Sequence, residues 1–370
     1  WAIAHKFTAN SSISNITNIE IQIGRTGALT PVAKINPVNI GGVLVSNATL
    51  HNEDEIKRKD IRIGDTVVVE RAGDVIPHVI SVDLKKRPKK SKKFEFPTKC
   101  PSCGSETVKE YNITTKKKDA VRRCTSQGFD CERISIEKLK HFVSKEAFNI
   151  DGFGKKIVED FWNKQIIKYP QDIFNLDYNK IKTFDGWGNL SVSNLKFSIE
   201  SKKEIDFYRF IYSLGIRHIG LEISKIIANH LKFPSNFFKL HKNDSIKDLL
   251  NIDGIGQTQI NSLISFFKNI TNKEILNELE KVLRIKKVVT NKSNGKFMNK
   301  TFLITGKLSG MSRSEVKSLI ESKSGKILSN VNKKLNYLIV GEKPTIKKVS
   351  LAEQLDINII NQDELKKMLD

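Results

Sequence analysis

Four cysteines carry the spacing that most directly prescribes chemistry in this chain. Cys100 and Cys103 are separated by two residues, Cys124 follows after twenty more, and Cys131 after a further six. Two such pairs with a loop between them can fold four thiolates into a tetrahedron, which zinc accepts because it has no d-electron preference. In Cys100-Pro101-Ser102-Cys103-Gly104 the glycine lets backbone amides turn toward sulfur, and Lys99, Lys109, Arg122 and Arg123 are close enough in sequence to offset the negative charge of a zinc–thiolate centre. A closed site of four cysteines leaves no position for water, so the expected Zn2+ is structural. Buried structural thiols or a redox pair are the alternative. Four Cys are too few for a secreted disulfide scaffold, and a reducing compartment keeps them as thiols or metal ligands.

A second constellation is built from glycines. Ile150-Asp151-Gly152-Phe153-Gly154, Phe184-Asp185-Gly186-Trp187-Gly188, Arg217-His218-Ile219-Gly220 and Ile252-Asp253-Gly254-Ile255-Gly256 repeat one signature, and their last glycines are 34, 32 and 36 residues apart. Past the fourth copy, Ile260, Leu263, Ile264 and Phe267 fall at helical spacing; past the third, Ile223, Ile226, Ile227 and Leu231 do the same. Each turn therefore opens a helix, whose free N–H groups and positive dipole end form a phosphate cradle that no Cβ obstructs. Gly152, Gly154, Gly186, Gly188, Gly220, Gly254 and Gly256 are the candidate contacts. The middle residues Phe153, Trp187, Ile219 and Ile255 are expected to pack inside the hairpins. A single such turn reads equally well as a plain helix–helix connection using glycine for positive φ. Four copies in a strongly basic chain favour nucleic acid. His218 replaces the first glycine of the third copy, which makes that copy mainly structural.

These groups need elements to position them. The 370 residues bound the chain to two to four packed units. A net charge of +22 favours phosphate polymers or anionic surfaces over acidic proteins, while 39% hydrophobic content excludes global disorder. No stretch approaches the ~18 apolar residues of a membrane span. No signal peptide opens the chain, so a cytoplasmic protein is expected. Trp1 enters a strand-like run directly, so the chain reads as a fragment.

Residues 9–84 read as short strands with glycine turns, among them the Ile19–Ile23 alternation and Thr66–Val69, hence a small barrel. Residues 85–94 form a solvated basic linker, 95–133 hold the cysteines, 134–285 are helical, and 286–298 are a second linker. Residues 299–370 alternate strands (302–304, 337–340, 357–360) with helices (314–323, 346–355, 363–369), predicting a small, mostly parallel sheet. At the other end, alternation along Trp1-Ala2-Ile3-Ala4-His5-Lys6-Phe7 puts Ala2, Ala4 and Lys6 on one face, a slot for a flat phosphate-bearing ligand.

The segments 24–33, 45–52 and 71–77, which contain Arg25, Thr26, Arg71 and Asp74, together resemble bacterial NAD-dependent DNA ligases. The likeness begins in the last nucleotidyltransferase motif, residues 1–8 with Lys6-Phe7, and runs through the OB-fold domain. It continues in the family's order through a four-cysteine zinc finger and paired helix-hairpin-helix repeats, which grip duplex DNA across the minor groove, to a BRCT domain. The implied fold is multi-domain α+β: a small OB β-barrel, the finger, an all-α helix-hairpin-helix domain and a C-terminal α/β BRCT domain. Thr305-Gly306 and Met311-Ser312-Arg313 match the BRCT pattern. The final helix lacks the Trp that many such domains carry, and the Cys124–Cys131 spacing is slightly long.

The resemblance implies an enzyme that seals 3′-hydroxyl/5′-phosphate nicks in duplex DNA, using NAD and Mg2+ (or Mn2+) and passing through an enzyme–AMP intermediate. It implies that Lys6 contacts the adenylate phosphate. Arg25, Thr26 and Arg71 then face DNA or the adenylate. The adenylated lysine belongs to a Lys-x-Asp-Gly motif. The three Asp-Gly pairs here, at 151, 185 and 253, have Asn149, Thr183 and Asn251 in place of that lysine. The chain is thus expected to clamp DNA without charging itself with AMP, to work with the upstream nucleotidyltransferase part, and to be monomeric. A non-enzymatic DNA-repair scaffold is the alternative. Thr305 and Gly306 read either as a phosphate pocket or, more simply, as a strand-end turn.

Overall fold

A computed structural model describes residues 9–71, 76–112, 116–240, 245–252, 254–288, 295–308, 313–328 and 330–369. The chain forms two compact units that divide between Lys287 and Val288.

The first unit opens with a closed barrel of β1 (Asn10–Ile23), β2 (Leu29–Ile40), β3 (Val43–Thr49), β4 (Thr66–Arg71) and β5 (His78–Val82), joined in the order β1-β2-β3-β5-β4. Alternation along the strands turns Ile16, Ile19, Ala33, Ile35, Val67 and Val69 inward to one core. Between β3 and β4 lies α1 (Glu53–Lys59), a helix that strand periodicity does not predict. Its signals are local. The Asn52 side chain accepts from the Glu55 N–H, Glu53, Asp54 and Glu55 fill the first turn, and Lys57, Arg58 and Lys59 fill the last.

The basic segment expected to be a solvated linker packs on the barrel instead. Arg87 donates from Nε and Nη2 to the two carboxylate oxygens of Asp65, at 2.8 and 2.9 Å, and Asp65 is fully buried. Arg62 Nη1 donates to the Ser91 carbonyl, while Phe94 and Phe96 lie against the barrel core. One buried carboxylate needs one matched guanidinium, and that requirement outweighs the solvation of the neighbouring lysines.

Next come the finger strands β6 (Thr107–Asn112) and β7 (Lys117–Cys124), an antiparallel pair. The helical part follows with α2 (Glu132–Phe142), α3 (Lys155–Asn163), α4 (Tyr178–Ile181) and α5 (Asn189–Ser201). After β8 (Glu204–Asp206) come α6 (Phe207–Ser213), α7 (Leu221–Leu231), α8 (Pro234–Phe238), α9 (Ser245–Asp248), α10 (Gln257–Lys268) and α11 (Ile270–Val282), then β9 (Arg284–Lys286). A parallel β8–β9 ladder, not anticipated in a helical reading, joins two stretches about 80 residues apart in sequence.

The second unit is a four-stranded parallel sheet of order β11-β10-β12-β13, made by β10 (Thr301–Thr305), β11 (Lys326–Ile327), β12 (Tyr337–Val340) and β13 (Asn358–Asn361). The helices α12 (Arg313–Ser322), α13 (Ile346–Gln354) and α14 (Gln362–Leu369) alternate with the strands as the periodicity predicts. The two-residue β11 is too short to show in the sequence pattern.

Candidate nucleic-acid interface and metal centre

The four Cys Sγ atoms lie within 4.8 Å of one another, with Cys100–Cys131 at 3.9 Å and Cys103–Cys124 at 3.5 Å. A tetrahedron with Zn–S bonds of about 2.3 Å has S···S edges of roughly 3.8 Å, so the donor set fits zinc. Local structure explains the convergence. The Cys100–Cys103 knuckle closes through Gly104 N–H to the Cys100 carbonyl and Cys100 N–H to the Ser105 carbonyl, Cys124 ends β7, and Cys131 caps the start of α2. A helix N-terminus favours a thiolate at that last position.

The centre joins the barrel to the helices: Ile23, Leu29, Cys100, Cys124, Cys131 and Ile134 form one buried cluster. Gly27 permits this approach. Its φ is +76°, its carbonyl accepts from the Cys124 N–H, and a Cβ there would meet the Cys124 carbonyl oxygen at 3.1 Å. Three of the cations expected to balance the thiolates have carboxylate partners. Lys109 binds Asp54, Arg122 binds Glu53 and Arg123 reaches Asp119, so two of them fasten the finger to α1.

The hairpins repeat in three dimensions. Phe153, Trp187, Ile219 and Ile255 donate their N–H to the carbonyls of Ile150, Phe184, Ile216 and Ile252 at 3.1–3.2 Å, closing the same turn four times. The third turn residue has positive φ in every copy: Gly152 (75°), Gly186 (82°), His218 (61°) and Gly254 (88°). His218 therefore does what glycine does elsewhere, as His tolerates left-handed geometry better than most residues. The next glycines, Gly154, Gly188, Gly220 and Gly256, are the N-caps of α3, α5, α7 and α10.

All seven candidate glycines are exposed. A Cβ on Gly152, Gly154, Gly186, Gly188 or Gly220 would meet nothing within 4 Å; at Gly254 it would meet Ile226 at 3.2 Å, and at Gly256 the Gln259 side chain at 3.4 Å. No side chain among the described residues caps α3, α5 or α7, whereas Gln259 Oε1 accepts from the Gly256 N–H. Phe153, Ile219 and Ile255 are buried inside, while Trp187 is half-buried against Phe161. Phe161 also meets Phe153, which pairs copies one and two; Ile226 against Gly254 pairs three and four.

The barrel residues are placed less simply. Arg25 Nη1 donates to the Gly215 carbonyl at 3.2 Å, and Thr26 Oγ1 accepts from Arg123 at 3.1 Å, so both tie the barrel to other parts of the unit. They also line a cleft of about 960 Å³. Arg71 ends β4, opposite Asn10. Lys6 and Asp74 lie outside the described residues, as do Asp253, Met311 and Ser312. In the second unit Thr305 is buried and its Oγ1 accepts from the Thr345 N–H, while Gly306 accepts from Arg313. Those groups are used within the fold, in keeping with a strand-end turn. Sequence reasoning missed Arg217, whose Nη1 bonds Glu110 of β6, because the partner is 107 residues away.

The described residues thus combine a closed barrel, a four-cysteine knuckle and glycine-capped helix starts with a parallel α/β unit. Residues 13–91 match the NAD-dependent DNA ligase OB-fold domain, 209–276 the helix-hairpin-helix motif and 292–369 the BRCA1 C Terminus (BRCT) domain. The chain is 70% identical over 369 residues to a DNA ligase of Pelagibacter ubique, covering 100% of this chain and 55% of that protein. A DNA ligase of Xanthobacter autotrophicus is 41% identical over 388 residues (98% and 53%), and one of a Sulfurihydrogenibium species 42% over 370 (100% and 51%). The chain is thus similar along its whole length to DNA ligases, and it spans about half the length of the curated relatives it matches.

Proposed function

We propose that this chain is the duplex-gripping C-terminal part of an NAD-dependent DNA ligase that seals 3′-hydroxyl/5′-phosphate nicks through an enzyme–AMP intermediate. The observation that carries this reading is the 70% identity to a DNA ligase along the whole chain. The hairpins supply its physical content. Exposed glycine N-caps present backbone amides and a helix dipole to phosphate, a sequence-independent contact suited to a nick in any context.

In this reading, Gly152, Gly154, Gly186, Gly188, Gly220, Gly254 and Gly256 approach the sugar–phosphate backbone. Arg25, Thr26 and Arg71 line the barrel's approach to DNA. Cys100, Cys103, Cys124 and Cys131 hold a structural Zn2+ that keeps barrel and hairpins together. Lys6 meets the adenylate phosphate as a fixed cation against charge developing in phosphoryl transfer. The AMP-accepting lysine, NAD and Mg2+ belong with an upstream nucleotidyltransferase part, since this chain has no Lys-x-Asp-Gly. The protein works as a monomer in the cytoplasm; no described helix is long and apolar enough to cross a membrane.

The test combines two measurements. The isolated chain, incubated with labelled NAD and Mg2+, is expected to bind nicked duplex and to acquire no stable AMP label. Adding the upstream part is expected to produce nick sealing. Stable labelling of the isolated chain, or sealing unaffected by its removal, contradicts the proposal.

A further inference from the structure

The cleft of about 960 Å³ lies in the first unit, where the finger strands, the third and fourth hairpins and the β1–β2 turn meet. Its walls carry five cations: Arg25, Lys117, Lys118, Lys138 and Arg217. Glu110 and Asp119 are the carboxylates among the lining residues, and each already pairs with an arginine, Arg217 and Arg123 respectively. Lys138 is the most telling of the cations. Its ammonium donates to the Gly128 carbonyl at 2.6 Å and sits 4.8 Å from the centre of the Phe129 ring, with no carboxylate among the described residues in ion-pair contact. Burial pushes its pKa down to about 8; the charge of Asp130 opposes this only in part, and Arg25 adds to it.

Rings interleave with these cations. Tyr111 is 58% exposed, and His218 and Phe266 also line the space. Burial, then the neighbouring Arg217 and Arg123, lower the pKa of His218, which favours its neutral ring. The lining also includes uncharged hydrogen-bonding side chains of α10: Gln257, Thr258, Asn261, Ser262 and Ser265. Cations tracking a backbone, rings for bases to stack on and neutral donors and acceptors are the physical requirements of sequence-tolerant single-strand binding. Size decides against a duplex. A cube of this volume is roughly 10 Å on a side, while the major groove alone of B-DNA is about 12 Å wide.

We propose that this cleft binds a short single-stranded nucleic-acid segment, at a site that adjoins the third and fourth hairpins but does not include the glycine mouths that grip duplex. The proposal rests on the nucleic-acid reading above and adds a second ligand form to it: an unpaired strand whose phosphates meet Lys117, Lys118 and Lys138 and whose bases stack on Tyr111.

The experiment uses the full 370-residue chain and fluorescence anisotropy with a labelled oligothymidylate of about six nucleotides, within the span of one single-strand site, and, separately, a labelled nicked duplex. Tyr111→Ala and the double variant Lys117→Ala/Lys118→Ala change exposed side chains, and retained zinc and an unchanged melting temperature establish that they fold. Each is expected to weaken the oligonucleotide at least fivefold, in line with about 1–3 kcal/mol per stacked base, and to leave duplex affinity within twofold. Excess AMP tests the other source of the same chemistry, and its failure to displace the oligonucleotide is expected for a site that needs several phosphates. Unchanged oligonucleotide affinity in both variants overturns the proposal. So does equal weakening of oligonucleotide and duplex, which makes the cleft part of the duplex interface, or full displacement by AMP, which makes it a mononucleotide site. If the wild-type chain binds the oligonucleotide but not duplex, the hairpin reading fails and this one stands.

Discussion

Arg217, in the turn of the third hairpin, points its Nη1 between the two carboxylate oxygens of Glu110 on β6, at 2.6 and 2.7 Å. The finger and the hairpin array are thereby held at a defined distance from each other. Both side chains remain partly exposed (30% and 43%), so solvent screens the pair and its contribution to stability is small, about 0–1 kcal/mol. Its value lies in geometry. Glu110→Arg alone is expected to place like charges together and weaken duplex binding a few-fold, while Glu110→Arg/Arg217→Glu restores affinity. A titration with nicked duplex checks this, and absence of rescue removes the pairing argument.

Zinc removal should act on the whole unit, because the thiolate cluster shares its core with Ile23, Leu29 and Ile134. Cys131→Ser is expected to lose one equivalent of zinc and to lower the melting temperature by many degrees. Binding releases protons from the thiols, so apparent zinc affinity falls as pH falls. A chelating dye followed between pH 8 and 5 reads the release directly, and a pH-independent profile speaks against thiolate ligation.

Replacing glycine at the hairpin mouths separates folding from binding. Gly154 has φ −74° and Gly188 φ −82°, ordinary values for any residue, and an added Cβ finds open space. Gly154→Ala/Gly188→Ala should therefore cost little stability, on the order of 1 kcal/mol per cap at most. Duplex affinity is expected to fall about tenfold, with the slope of log K against log salt becoming shallower by about 0.9 for each phosphate that is no longer neutralised. Unchanged affinity and slope would show that these mouths do not touch phosphate.

Arg87 and Asp65 should dominate the stability of the barrel edge. Arg87→Met leaves a fully buried carboxylate without its guanidinium and is expected to cost about 3–5 kcal/mol, measured by urea unfolding. Arg87→Met/Asp65→Asn should recover a substantial part of that loss, since the uncompensated charge is gone. A cost under about 1 kcal/mol for the single variant, the range of an exposed pair, contradicts the geometry.

Glu53 links pH to the docking of the finger. Burial alone raises its pKa, but hydrogen bonds from Lys57 and Arg122, with Lys109 nearby, overturn this and hold it at about 2. A depressed carboxylate contributes stability above its unfolded pKa of 4.5 and loses it as pH falls through about 2. Arg122→Gln is therefore expected to lower stability at pH 7 and to flatten the stability–pH curve between pH 4.5 and 2. Acid titration by circular dichroism of both proteins makes the comparison.

What could be read in the sequence alone is what local physics controls. Each glycine hairpin closes through a bond between residues three apart and starts a helix at the next glycine, so motif and geometry coincide without outside help. The Cys100–Cys103 knuckle, the strand alternation around Ile19 and the alternating strands and helices after 299 are local in the same sense. The α1 signals at Asn52 and Glu53–Glu55 are equally local, but seven residues between two strands are easily taken for a loop. The sequence thus determined which pieces the chain contains and which of their ends could meet phosphate. Only tertiary structure decided how the pieces of the first unit combine. Arg25 meets Gly215 from 190 residues away, Glu53 meets Arg122 from 69, and Arg87 leaves a lysine-rich run to neutralise Asp65. Such partners follow from desolvation: a charge carried out of water takes the nearest matching group in space, and nothing in local sequence spacing records which group that will be.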